Sequence, residues 1–144
     1  MAQTFHDLTE ADLAQLAAQR AVVERYLGND VQNLENYATP AGKLGLLRAI
    51  LDAGLFRPNH TYELQCMGVV FGDVFVQVCG WEWRMVEDDL GRDPCIKLPS
   101  STIVIYPLTM ISKRVEHGEA VDVFALFDEI AADAERLAAA APLS

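Results

Sequence analysis

Cationic side chains are scarce in this chain: 11 Lys and Arg stand against 21 Asp and Glu, a net charge of −10 over 144 residues. Such a balance repels phosphate backbones, so a nucleic-acid partner is not expected, and it steers encounters toward basic surfaces instead. Cysteine is scarce too. Cys66, Cys79 and Cys95 form an odd set with no C-x-x-C pair, which leaves no disulfide framework. The three histidines, His6, His60 and His117, are scattered and predict surface or capping roles rather than metal ligation. No apolar run reaches the roughly 18 residues that a membrane-spanning helix needs. The opening "MAQTFHDLTEADL" lacks the basic and apolar regions of a signal peptide. A cytoplasmic protein with reduced thiols, no membrane partner and no cofactor is the expectation.

What is present is apolar. A composition that is 51% hydrophobic and 22% charged describes a folded globule, and the length suits one domain spanning 1–144. The charge is uneven. Residues 119–144 carry one basic and six acidic side chains, a net of −5 and half of the total. There the acids alternate with apolar residues, the pattern of a helix with one solvated face.

Helical signals open the chain. Thr9 stands at an N-cap with Asp12 three residues on, Leu8 and Leu13 have staple spacing, and Leu13, Leu16, Val23 and Leu27 mark one face before Gly28. "NDVQNLENYATP" reads as a connector. Thr39-Pro40 starts a second helix with Leu44, Leu47, Ile50 and Leu51 inward and Gly54 as its stop.

The stretch "CMGVVFGDVFVQVCGWEW" has two readings. Val and Phe with a Gly72-Asp73 pair fit a β-hairpin. As a helix, positions 65, 69, 73 and 77 form a single stripe, while Leu64, Met67, Phe71, Val74, Phe75 and Val78 pack elsewhere. Gly68 and Gly72, four apart, would then admit a close neighbour. Periodicity favours the helix.

From Trp81 the alternation is that of strands: "WEWRMVEDDLGRD", "PCIKL" and "STIVIY" predict a three-stranded antiparallel meander. Pro107 begins a helix that closes at Gly118. Asp122 caps a last helix with Phe124, Phe127, Ile130, Ala134 and Leu137 as its apolar stripe. The expected fold is α+β: three N-terminal helices, a three-stranded meander and two C-terminal helices.

Several of these features resemble a bacterial family catalogued only as a domain of unknown function. They are the Gly68/Gly72 pair, Trp83 leading through Met85 and Val86 to the Asp88–Gly91 turn, and a strand entering Pro107 ahead of Lys113 and Arg114. The resemblance covers roughly residues 62–130. It implies a helix over 62–79 and brings no activity with it.

The chemistry-bearing motifs fare poorly. "EDDLGRD" offers four carboxylates, but counting from Asp88 the sixth position is Asp93 and the twelfth Pro99, where an EF-hand needs Gly and Glu. No metal site is expected. No G-x-S-x-G elbow, Ser-x-x-Lys pair or phosphate-cradling glycine loop occurs, so no catalytic residue is assigned. Trp83, Asp88, Arg92, Lys113 and Arg114 are the candidate binding residues, should the helix after Pro107 fold back over the acidic turn.

Three functions follow as expectations. The first is a non-catalytic interaction or scaffold module, in its sharper form an inhibitor or immunity-type protein for a basic protein partner. The second is a small-ligand binder or enzyme built on Asp88 and Asp89 with Lys113 and Arg114. The third is a self-assembling protein, a homodimer through the Ala-rich segment "AADAERLAAAA".

Overall fold

The computed structural model describes residues 3–140. Strand β1 (Thr4–His6) is followed by helix α1 (Glu10–Glu24), which tightens into a 3-10 turn at Arg25–Leu27. Helices α2 (Val31–Tyr37), α3 (Pro40–Asp52) and α4 (Thr61–Cys79) come next. Strands β2 (Glu82–Asp88), β3 (Gly91–Lys97) and β4 (Val104–Ile105) then lead into α5 (Pro107–Glu116) and α6 (Val123–Ala140). The α+β class holds. Among the described residues the inventory is larger than expected, with six α-helices and four strands in place of five helices and three strands.

Both additions have a physical reason. The strand β1 pairs antiparallel with β2, Phe5 opposite Val86, and makes an edge of a sheet ordered β1-β2-β3-β4. Three residues are too few to show alternation, and the strand exists only because a partner some eighty positions away accepts it. Helix α2 occupies the expected connector. Asp30 caps it, accepting from the Asn33 N–H at 3.0 Å, but none of its residues is buried and Val31 and Leu34 are exposed. Its cause is local capping, which leaves no apolar stripe to read.

The contested stretch is a rod at the centre. Helix α4 spans 19 residues, about 28 Å, and packs against α1, α3, α5, α6 and β3. Leu64, Cys66, Met67, Val69, Val70, Phe71, Val74 and Phe75 are all fully buried. A large apolar side chain so buried contributes roughly 1.5–3 kcal/mol. Phe75 ties α4 to α6 and to the residue just ahead of β2: its ring stacks on Trp81 at 5.6 Å, meets Phe71 edge-on at 5.2 Å and lies 4.6 Å from Phe127 of α6.

The two glycines of α4 are places of contact. A Cβ on Gly68 would stand 2.5 Å from the Leu108 Cα and the Pro107 carbonyl oxygen, so α5 crosses directly on the α4 backbone. A Cβ on Gly72 would stand 2.5 Å from the Trp83 ring. That pair of absent side chains seats one helix and one indole.

Three expected core residues lie outside. Leu13, Val78 and Leu137 are more than half exposed. In α1 the inward line is Leu16, Gln19 and Val23, and Leu13 sits about 60° round from Leu16.

Candidate functional site

Asp73, in the middle of α4, accepts three side-chain hydrogen bonds. Arg20 of α1 donates to it twice, Nε to Oδ2 at 2.6 Å and a terminal nitrogen to Oδ1 at 2.9 Å. The Trp83 indole N–H donates to Oδ1 at 3.0 Å. Gly72 makes this geometry: with no side chain there, the indole lies on α4 and its N–H reaches the next residue. Close by, Lys43 donates to the Tyr37 carbonyl at 2.9 Å and hangs over the Tyr37 ring. The Tyr37 hydroxyl is buried and has no hydrogen-bond partner among the described residues. Burial, with the Glu24 carboxylate near, pushes the Tyr37 phenol upward, and burial pulls the Lys43 ammonium downward. The Asp73 group joins α1, α4 and β2, with its carboxylate already occupied, and so acts as a fastener.

The five candidate residues have separate surroundings. Trp83 is held by Asp73. Asp88 accepts the Leu90 N–H at 2.8 Å and shapes the β2–β3 turn, where Gly91 has a φ of +136°. Arg92 makes two bonds to Asp12, at 2.8 and 2.6 Å, tying the start of β3 to the capping box of α1. That guanidinium holds the Asp12 carboxyl well below the usual carboxylate range. Lys113 is exposed in the last turn of α5. Arg114 donates to the Met110 carbonyl at 2.9 Å and borders a cavity of about 190 Å³ with Asp122 and Glu129. Among the described residues no hydrogen bond or ion pair joins one of the five to another.

Sequence reasoning passed over the Arg20–Asp73 and Asp12–Arg92 pairs. Their partners stand 53 and 80 positions apart, and only the Asp12 end announced itself, as a cap.

The thiols are quiet. Cys66 and Cys95 are fully buried and Cys79 is half-buried. Burial raises all three, Cys95 to about 11, so they are protonated near neutral pH and poor nucleophiles. Among the described residues no three His, Cys, Asp or Glu side chains gather as a metal would require, and no helix is long and apolar enough to cross a membrane.

Two surfaces stand out beyond these fasteners. Helix α6 buries Val123, Leu126, Phe127 and Ala134 and turns Asp128, Glu129, Asp133 and Glu135 to solvent. Between α1, α5 and the sheet lie two adjoining cavities of about 110 and 250 Å³.

Residues 43–127 match the domain of unknown function DUF3806, more than half of the chain. The chain belongs to this family. Its matched region runs from α3 to α6 and holds Gly68, Gly72, Asp73, Trp83, Arg92 and Pro107, while Asp12 and Arg20 lie outside it. No curated protein matches the chain. A crystal structure from Bacteroides thetaiotaomicron VPI-5482 at 1.50 Å resolution superposes on 90% of this chain with a TM-score of 0.70 and 16% sequence identity. The chain spans 47% of that protein's length, and at this identity the likeness is one of fold.

Proposed function

We propose that the protein is a non-catalytic interaction module that engages a basic protein partner through the acidic face of α6. One observation carries this reading: a helix that packs Val123, Leu126, Phe127 and Ala134 into the core presents Asp128, Glu129, Asp133 and Glu135 to solvent, and Arg136, the one cation in residues 119–144, is paired with Asp133 at 2.9 Å. Asp122 and Glu129 beside the 190 Å³ cavity offer a lodging for a Lys or Arg head group. A concentrated negative field accelerates encounter with positive surfaces and is screened by salt. The same field disfavours nucleic acid, and a cytoplasmic setting agrees with three unpaired thiols.

A ligand or catalytic site pooling Asp88, Asp89, Lys113 and Arg114 has less support, because Asp88 serves the turn and Arg114 the Met110 carbonyl. Self-association through the Ala-rich end of α6 rests on Leu137, which is 53% exposed. Light scattering that finds a strict monomer removes it.

The acidic-face reading is tested by capture from native lysate at about 50 mM and about 300 mM salt. The bait is the wild-type chain or the variant Asp128→Lys/Glu129→Lys/Glu135→Lys. A stoichiometric basic protein held at low salt, weakened at high salt and lost by the variant supports the reading. No stoichiometric partner at either salt, or one that the variant retains, defeats it.

A further inference from the structure

Helix α2 is held to the body of the protein by little. None of its seven residues is buried, and its principal neighbour is α3. Among the described residues its side-chain hydrogen bonds reach no further than the Leu27 carbonyl on one side and Lys43 on the other. The ends of the segment are better defined. Gly28 takes a φ of +65° ahead of it, and Asp30 caps it. Behind it, Gln77 of α4 donates to the Ala38 carbonyl at 2.9 Å, and the Thr39 hydroxyl donates to the Asn36 carbonyl at 2.6 Å.

Between α2, the 3-10 turn and α3 lies a cavity of about 380 Å³, with Leu27, Leu46 and Ala49 among its walls. Gly45 also lines it, and a Cβ there would meet nothing within 4 Å. The helix therefore borders this space without filling it.

Tyr37 is the exception in α2. Its ring packs against the core and carries the Lys43 ammonium 4.8 Å from its centroid. Its hydroxyl is the one buried side-chain polar atom without a hydrogen-bond partner among the described residues. Two opposed effects meet in this one side chain. Burial of the ring favours docking, while the hydroxyl would regain hydrogen bonds to water on release. Segments with few buried apolar contacts and mostly local hydrogen bonds open before the whole chain unfolds.

We propose that α2 is a latched strap: residues 29–37 come away from α3 as one unit while α4 and the sheet stay folded, and the Tyr37 ring is the latch. Its unpaired hydroxyl sets how readily the latch releases. Opening uncovers the apolar floor at Leu27, Leu46 and Ala49, and it frees the Lys43 ammonium from the Tyr37 carbonyl. The device uses no residue of α6, so it and the acidic-face reading can fail separately.

The test is native-state hydrogen exchange on the full chain, followed by NMR. Amides of Leu34–Tyr37 should share one level of protection, at least roughly a hundredfold below that of Val69–Phe75 in α4. Low urea should speed exchange in α4 and leave α2 nearly unmoved, because a small opening exposes little surface. Tyr37→Phe should slow exchange in α2 roughly fivefold or more, since the unpaired hydroxyl is gone. Tyr37→Ala should speed it at least roughly tenfold. Equal protection and equal urea dependence in α2 and α4 would overturn the idea, because the helix would then leave only on global unfolding. Graded protection along α2 that ignores position 37 overturns it as simple fraying. Faster α2 exchange in Tyr37→Phe overturns it too, since the hydroxyl would then be holding the helix down.

Discussion

Removing the Asp73 carboxylate should loosen three elements at once. In Asp73→Ala, Arg20 loses two charge-assisted bonds of 2.6 and 2.9 Å, and the Trp83 indole loses its acceptor at 3.0 Å. Breaking a well-buried ion pair typically costs about 3–5 kcal/mol, mostly through the charge left behind. Here the Arg20 side chain is 27% exposed and Asp73 15%, so water reaches the orphaned guanidinium and reduces that figure. The lost indole bond adds about 1 kcal/mol. The expected sum is about 2–4 kcal/mol. Asp73→Asn keeps the shape and one acceptor, and should cost about half as much.

Urea unfolding reads this directly. The midpoint should fall with an unchanged slope, and the thermal midpoint should drop by roughly 5–12 °C for a chain of this size. Trp83 fluorescence should change in the folded state, because the indole loses a neighbouring charge. A double-mutant cycle with Arg20→Met should return a coupling of at least about 1 kcal/mol. An Asp73→Ala loss under about 0.5 kcal/mol, or strictly additive singles, would refute the assignment of Asp73 as a fastener.

Three glycines should respond to alanine in opposite directions. Gly68→Ala meets the α5 backbone and Gly72→Ala the Trp83 ring, so each should destabilise by about 1–3 kcal/mol in chemical denaturation. Gly45→Ala meets nothing within 4 Å and should stabilise α3 by about 0.5–1 kcal/mol. Tyr37→Phe removes a buried hydroxyl without a partner among the described residues, and should leave the thermal midpoint level or higher. The thiols should react slowly with a disulfide reagent at about pH 8, Cys79 first, and quickly once the chain is unfolded. Because burial raises the folded thiols, their contribution to stability is whole below the ordinary thiol value and declines as pH rises through about 11, where Cys95 ionises. A thermal-midpoint series in alkaline buffer checks that sign, with Cys95→Ala as the control.

The central rod was legible because its signal is local. A stripe at positions 65, 69, 73 and 77, two glycines four apart and the family pattern all pointed to a helix over 62–79, and α4 runs from Thr61 to Cys79. The stripe was less polar than it looked: Val69 is fully buried, and Gln77 turns back to the Ala38 carbonyl at 2.9 Å. The caps at Thr9, Thr39 and Asp122 were legible for the same reason, since each contact closes within three residues. Long-range pairing was not. The strand β1, the partner of Asp73 and the partner of Arg92 depend on which surfaces the fold brings together, and no spacing along the chain encodes that. Gln19 carries no signal at all, because a glutamine on the inner face of a helix differs from an outward one only by its neighbours.

The disposition of charge then separates structure from surface. Arg20, Arg84, Arg92 and Arg136 are paired with carboxylates. Lys43 and Arg114 serve backbone carbonyls, and Arg48 lies 4.3 Å over the Phe124 ring. The scarce cations are thus largely drawn into fastening the fold: Arg20, Arg84 and Arg92 hold carboxylates of α4, the β1–α1 segment and α1, while Arg136 pairs within α6. Among the described residues no ion pair holds the acids of α6 other than Asp133. Asp128, Glu129 and Glu135 face solvent, and the proposed encounter with a basic partner depends on that face.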